Sequence, residues 1–275
     1  MVEIVKGDGT RELFNVLKLA DSLTRSGADS ALATQVAETI ASGVEDGMTT
    51  SEIYRHAYKL LHKAERTYAA RYSMRRAILE LGPTGYPFED YVSELMRAKG
   101  YEVKTRVMVQ GRCIEHEVDV VMKKDGKTIG AELKFHNQPG YKTDVKVALY
   151  VRARFTDIDL GAEDKGEEKH VHEGWLMTNT KFTDHAIQYA MCSGIGLVGW
   201  DYPSKGNLDD IIQETKIYPV TILTTLTNAE KSRLLAAQVP LCSIVAADPS
   251  VLRRAGIPDR KITSVVAETS ALCKA

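Results

Sequence analysis

Glu117-Val118-Asp119-Val120-Val121-Met122-Lys123-Lys124, then Asp125-Gly126, then Lys127-Thr128-Ile129-Gly130-Ala131-Glu132-Leu133-Lys134 decide how this chain folds. Asp-Gly between two apolar-rich runs is the composition of a two-residue hairpin loop. With Lys124 facing Lys127 across that loop, Asp119 lies opposite Glu132 and Glu117 opposite Lys134. Strand side chains alternate between faces. One face therefore carries Glu117, Asp119, Glu132 and Lys134. The other carries Val118, Val120, Met122, Ile129, Ala131 and Leu133, so a half-buried hairpin is expected.

The polar face poses an electrostatic problem. Two carboxylates directly across a strand pair repel one another unless a cation sits between them. Lys134 supplies part of the compensation, and a divalent ion such as Mg²⁺ or Mn²⁺, which takes oxygen ligands, supplies more. An ion held by Asp119, Glu132 and the Leu133 carbonyl polarises a phosphodiester and acidifies a bound water. Lys134 then orients that water or stabilises charge on the phosphate. The same spacing also suits a surface hairpin with solvated, ordinary cross-strand pairs.

Asp119 followed by Glu132-Leu133-Lys134 resembles the core motif of the PD-(D/E)XK restriction-endonuclease-like superfamily. Its context is similar to the Mrr-like branch. A helix from Tyr86-Pro87-Phe88-Glu89 runs to Lys99-Gly100-Tyr101-Glu102-Val103, which enters a strand. A stretch from Trp175 to Thr183 with a late strand, a helix around Ala186–Ala190 and a final strand in Gly194–Trp200 follow the hairpin. The resemblance covers about Gly85 to Tyr202. It implies a mixed sheet flanked by helices, Mg²⁺- or Mn²⁺-dependent hydrolysis of DNA, and a supporting role for the acidic Glu89 on the first helix. Many Mrr-like proteins carry Gln where this chain has Glu132, which is the more general superfamily form.

The first 82 residues read as a short strand, a Gly7-Asp8-Gly9 turn and four helices. The helical stretches are Arg11–Thr24, Leu32–Val44, a third beginning at Thr50-Ser51-Glu52-Ile53 with Thr50 or Ser51 as cap, and Glu65–Leu81. Ile4-Val5-Lys6-Gly7-Asp8-Gly9, then Phe14, Asn15 and Lys18, then Thr49–Ile53 and Tyr68–Tyr72, resemble the ATP cone, a regulatory nucleotide-binding module. The resemblance implies ATP or dATP as effector and a homo-oligomer whose state follows the nucleotide. Lys6, Lys18 and Arg71 would meet phosphates, with the Gly7–Gly9 turn offering backbone N–H groups. Val5 and Ile53 would sandwich the purine, and the resemblance also puts Asn15 and Thr50 among the nucleotide-binding residues. The family often has Arg after the strand lysine, where this chain has Gly7. A helical dimerisation domain with a basic surface is the plainer alternative.

Beyond the hairpin, His136–Lys142 reads as a loop and Val145–Phe155 as a helix whose Lys146, Arg152 and Arg154, with Lys142, are candidates to track a DNA backbone. His136 falls on the polar face, opposite Glu115. Thr156 to Val171 is charged and is expected to be a mobile loop, and His170 lies within it. The C-terminal segment reads as short helices, with Leu252-Arg253-Arg254-Ala255-Gly256-Ile257-Pro258 resembling a helix-hairpin-helix repeat. Backbone amides at its Gly turn would bind a DNA phosphate, helped by Arg253, Arg254, Arg260 and Lys261.

The division expected is thus an α+β/α/β multidomain chain: a helical cone bundle over 1–82, a restriction-endonuclease-like mixed sheet over 83–220, and a small helical domain over 221–275. The chain has 275 residues and a formal net charge of -1 at pH 7, so any DNA-attracting field is local. No apolar run is long enough to span a bilayer and the N-terminus lacks signal-peptide architecture, which points to a cytoplasmic protein away from membranes. Cys113, Cys192, Cys242 and Cys273 are scattered without CxxC spacing and read as reduced thiols. Two other functions compete with the nuclease: a nucleotide-responsive DNA-binding regulator on a non-catalytic nuclease fold, and an assembly protein that buries the hairpin face between subunits.

Overall fold

The computed structural model describes residues 2–138, 140–166 and 171–273. The chain forms two compact units, one from residues 1–80 with 220–275, the other from 81–219. The first opens with an antiparallel pair, β1 (Glu3–Val5) and β2 (Arg11–Leu13), joined by a turn in which Gly9 adopts φ 81°. Strand β2 replaces the start of the helix expected from Arg11. Arg11, Glu12 and Leu13 pair with β1, and the helix waits for Asn15, whose side chain caps it. Then follow α1 (Val16–Arg25), α2 (Ser30–Ala41), α3 (Thr50–Ala64), α4 (Arg66–Tyr72) and α5 (Met74–Leu79). Thr49, one residue before the expected cap, closes a capping box with Glu52 at the start of α3. The expected fourth helix is broken at Ser73, which ends α4 and begins α5. Leu23, Val36, Ile40, Ile53, Ala57 and Leu61 form this core, with Ile4 of β1 packed in.

The second unit runs α6 (Tyr86–Ala98), β3 (Glu102–Gln110), β4 (Glu115–Lys124), β5 (Lys127–Lys134), β6 (Lys142–Thr143), α7 (Val145–Asp164), β7 (Glu173–Thr178), β8 (Lys181–Phe182), α8 (Asp184–Ser193), β9 (Gly196–Val198) and α9 (Leu208–Thr215). Its main sheet has the order β3-β4-β5-β7-β9, with β3, β4 and β5 antiparallel and β7 and β9 parallel to their neighbours. Lys124 pairs with Lys127, and Asp125 and Gly126 turn the chain at φ 49° and 77°. From Lys124–Lys127 to Val120–Ala131 the observed pairs have the register expected from the sequence. All six apolar hairpin residues from Val118 to Leu133 are buried.

Two features overturn the sequence reading here. Helix α7 continues nine residues past Phe155, through most of the segment expected to be a loop, and His170 lies outside the described residues. Asp157 explains the extension. Its carboxylate accepts the backbone N–H groups of Cys113 and Ile114 and meets His116 Nε2 at 2.8 Å, which ties the helix to the β3–β4 connection. Second, the polar hairpin face is partly covered by α7, which buries Glu132 while Glu117 stays exposed. Gly130 of β5 and Gly174 of β7 pair side by side, and Phe155 sits on both. A Cβ at either glycine would come within 2.5 Å of its ring. This close approach brings α7 down onto the face shared by Gly130, Glu132 and Lys134.

The chain then returns to the first unit through a 3₁₀ turn (Val220–Ile222), α10 (Asn228–Ala236), α11 (Cys242–Ala247), α12 (Ser250–Arg254) and α13 (Asp259–Leu272). Thr221 donates its hydroxyl to Ala77 O at 2.6 Å, and Lys231 pairs with Glu80 at 3.0 Å. Cys242 and Cys273 are joined as a disulfide, their Cα atoms 6.0 Å apart, against the expectation of free thiols. The packing of α11 on α13 brings together two cysteines that lie far apart in sequence. Cys113 and Cys192 are free and exposed.

Candidate active site

The hairpin delivers Asp119, Glu132 and Lys134 to one place. Asp119 Oδ2 accepts the Leu133 N–H at 2.7 Å, which ties the residue after Glu132 to the acidic pair. Burial first, and the Glu132 charge second, push the Asp119 carboxyl up to about 6. Glu132 is only 3% exposed. Its Oε1 takes the Lys134 ammonium at 2.6 Å and its Oε2 takes the Arg154 guanidinium of α7.

Glu89 of α6 is close enough for its charge to raise Asp119 further. Its own carboxyl is pushed up by burial, against the pull of Arg106. Arg106 of β3 spans Glu89 at 3.0 Å and Asp90 at 3.1 Å, and it does so from a left-handed backbone at φ 53°. A side chain held in that region inside a strand carries local strain of about 1–3 kcal/mol. The structure thus brings together all four residues expected from the sequence and adds two, Arg106 and Arg154. Arg154 had been a candidate for the DNA backbone. It instead turns inward, donating to Glu117 O at 2.8 Å, to Tyr150 Oη and to Glu132. The i,i+4 spacing of Tyr150 and Arg154 signals a shared helix face, but only the packing of α7 says which way that face points.

The donor set is of the kind a hard divalent ion takes: carboxylate oxygens, one of them from an acid that burial has left short of positive charge. Among the described residues no three His, Cys, Asp or Glu side chains converge on a metal-sized point, and both Glu132 oxygens are engaged by cations. Asp119 and Glu132 therefore fit the ion in chemistry, with Arg154 standing on one of the oxygens it would use.

His136 is clamped by Asn179, which accepts its N–H at 2.8 Å and donates to its carbonyl at 2.7 Å, and its ring lies 3.9 Å from that of Tyr141. It lies beyond the end of β5, and the pairing expected with Glu115 is not made: Glu115 pairs with Gln110.

In the first unit Lys6 and Lys18 do converge. Both reach Glu12, at 2.6 and 3.4 Å, and the hydrogen bond from Lys6 holds the Glu12 carboxyl below its usual range. Asp8 caps the turn by accepting the N–H and hydroxyl of Thr10, and the Gly9 N–H is donated to Lys6 O. Val5 bridges to Thr49, next to Thr50 at the start of α3, while Ile53 is buried in the core and Asn15 caps α1. Gly7 joins β1 to the turn. Arg71 and Tyr68 both lie against Gly27, and Arg71 has a buried Nε with no hydrogen-bond partner. No contact found among the described residues links it to Lys6 or Lys18. Glu12, which organises both lysines, had no signal in the sequence beyond its place between them.

At the C-terminal turn, the N–H groups of Gly256 and Ile257 are donated to Arg253 O and Leu252 O, where they close α12. Arg253, Arg254 and Lys261 pair with Asp259, Asp248 and Glu230. The amides expected to receive a phosphate are thus already used.

Comparison with known proteins finds three consecutive family matches: an ATP cone domain over residues 2–80, a restriction endonuclease domain of the Mrr catalytic type over 82–201, and an AF1548-like C-terminal domain over 218–273. An uncharacterized protein of Archaeoglobus fulgidus is 39% identical over 179 residues, covering 64% of this chain and 97% of the relative. The crystal structure of AF1548, a protein of unknown function, is 36% identical with a TM-score of 0.55, covering 70% of this chain and 100% of that one. Can2 from Sulfobacillus thermosulfidooxidans, solved with cyclic tetra-adenylate, is 14% identical with a TM-score of 0.32, too slight a likeness to carry an argument. Among the described residues no helix is long and apolar enough to cross a membrane.

Proposed function

Because this chain belongs to the AF1548-like family and sets a restriction endonuclease domain between an ATP cone and the family's C-terminal domain, we propose that it is a Mg²⁺- or Mn²⁺-dependent DNA endonuclease controlled by ATP or dATP. The observation that carries this reading is the meeting of Asp119, Glu132 and Lys134 at a half-buried hairpin end, with Asp119 raised to about 6. When bound, the ion polarises the scissile phosphate and acidifies the attacking water. Asp119 and Glu132 hold it. Lys134, anchored to Glu132, would orient the attacking water or stabilise the charge that develops on the phosphate. Glu89, positioned by Arg106, keeps the field around Asp119 negative.

In the cone, Lys6 and Lys18 exchange Glu12 for the nucleotide's phosphates, Val5 and Ile53 flank the base beside Asn15 and Thr50, and binding changes the oligomeric state of the chain. Restriction of foreign DNA is the process such an enzyme serves.

The test is cleavage of supercoiled plasmid with Mg²⁺ by wild type and by Glu132→Ala. Loss of nicking in the variant is expected, and equal nicking by both proteins would reject the assignment. Nucleotide control is read separately. ATP or dATP should change both the mass in solution and the cleavage rate. The closed network around Glu132 favours one second reading, a DNA-binding regulator on a non-catalytic nuclease fold, under which wild type leaves the plasmid intact at every metal concentration.

A further inference from the structure

The site contains a cation that the hydrolytic reading does not use. Arg154 is almost enclosed, its side chain 12% exposed against 4% for Glu132. One Nη serves both Glu132 Oε2 and Glu117 O, and the other serves Tyr150 Oη. The guanidinium lies over the Tyr150 ring, 4.8 Å from its centre, and Lys134 approaches the same ring at 5.9 Å. The helix beneath it cannot drift. Asp157 binds the β3–β4 connection three residues on, and Gly161 abuts the backbone of Gly111 and Arg112 so closely that a Cβ would lie 2.5 Å away. Arg154 is therefore aimed at Glu132 by the fold.

We propose that Arg154 is a resident counter-cation that a divalent ion must displace from Glu132, so that it sets the metal affinity of the site; this inference rests on the metal-dependent reading above. The charges require it. Asp119, Glu132, Glu89 and Asp90 bring four negative charges, while Lys134, Arg154 and Arg106 bring three positive ones. A divalent ion added with Arg154 still in place would leave an enclosed site with a surplus of positive charge and both Glu132 oxygens already taken. Moving Arg154 off Oε2 frees the oxygen and the charge together. Its Nε is buried and has no hydrogen-bond partner, so the guanidinium is not held by all of its donors. Arg154 is thus a positioning residue in the resting protein.

The test is calorimetric titration of Mn²⁺ into the full chain without DNA. Arg154→Gln removes the competitor and a nearby positive charge, and should bind Mn²⁺ about tenfold tighter than wild type, the scale on which groups flanking a metal ligand act. Arg154→Lys keeps the charge and should stay near wild type. Tyr150→Phe removes only the hydroxyl that orients the guanidinium and should tighten binding less than Arg154→Gln does. If wild type binds Mn²⁺ and Arg154→Gln binds it equally or more weakly, the proposal is overturned while the nuclease reading stands. If neither wild type nor any variant binds Mn²⁺, the metal-dependent reading fails and takes this one with it. Should Arg154→Gln lose its circular dichroism, Tyr150→Phe decides, and unchanged affinity there overturns the proposal.

Discussion

Two carboxylates in this molecule each sit between two cations, and they differ in what surrounds them. Glu12 of the cone holds Lys6 and Lys18 at the surface, its side chain 30% exposed and the lysines 38% and 68%. Glu132 of the nuclease hairpin holds Lys134 and Arg154 with 4% of its side chain exposed. An exposed ion pair is worth about 0–1 kcal/mol, so water readily replaces either partner of Glu12. A buried one leaves an uncompensated charge when a partner goes, a loss of roughly 3–5 kcal/mol. The same arrangement is therefore a loosely held reserve of lysines in one place and a locked network in the other. A ligand that takes the lysines from Glu12 meets little resistance, whereas one that enters at Glu132 must bring its own charge.

The comparison breaks first at Glu132. Glu132→Ala should lower the Mg²⁺-dependent cleavage rate by roughly a thousandfold, the upper range for removing one preorganised electrostatic group. It should also lower the melting temperature, because Arg154 is left enclosed without its carboxylate. Retained cleavage would place the chemistry elsewhere. At the exposed counterpart, Lys18→Ala should weaken ATP or dATP binding about tenfold, the scale of one charged hydrogen bond to a phosphate, with the melting temperature unchanged. Calorimetry on the variant reads both quantities. A change in melting with no change in nucleotide affinity would mean that Lys18 serves the fold.

The contrast also shows what could be read from the sequence. The hairpin was legible in its register from Lys124–Lys127 to Val120–Ala131, because Asp125-Gly126 admits one short loop, and strand alternation then puts Asp119 and Glu132 on one face. The burial of Glu132 was not legible. It depends on α7, whose second half is dense in Asp157, Asp159, Glu163 and Asp164 and so reads as solvated chain. In the fold Asp157 spends its charge on the Cys113 and Ile114 amides and on His116, and Asp164 spends its own on Arg112. Long-range partners of this kind leave no periodic trace. Arg106 gave no sign either, since nothing about an arginine in a β-prone run announces a left-handed backbone. In the cone, Lys6 and Lys18 were legible through a family pattern, while β2, three residues long, was too short to separate from the helix after it.

Asp119 sharpens the comparison through stability. Its carboxyl is raised from an ordinary 3.8 to about 6, so the folded state binds the extra proton between those values. Stability contributed by that proton is present at low pH and drains away as pH rises through the window; above 6 the full cost of the buried charge is felt. Asp119→Asn should therefore stabilise the metal-free protein at pH 8 by roughly 1 kcal/mol, discounted for the partial exposure of the group, and leave it unchanged at pH 3. It should abolish cleavage as well. Saturating Mn²⁺ should reverse the order by stabilising wild type alone. Thermal melts at the two pH values check the sign. A variant less stable than wild type at pH 8 would mean that the Asp119 charge is already compensated.

The smallest effect is expected at Glu12, and it is the one that separates a reserve from a structural clip. Glu12→Gln removes the charge that Lys6 and Lys18 share, while its amide can still accept a hydrogen bond. If the lysines wait there for phosphates, the variant no longer has to surrender an ion pair on binding, and ATP or dATP should bind about two- to threefold tighter, the yield of an exposed pair of about 0.5 kcal/mol. The same reasoning predicts that the difference shrinks as salt is raised, since screening weakens the Glu12 pair in the wild type first. A clip behaves the other way. Were Glu12 needed to hold β2 and α1 in place for the nucleotide, Glu12→Gln would bind more weakly at every salt concentration, and the lysines would have to be counted with the fold rather than with the ligand.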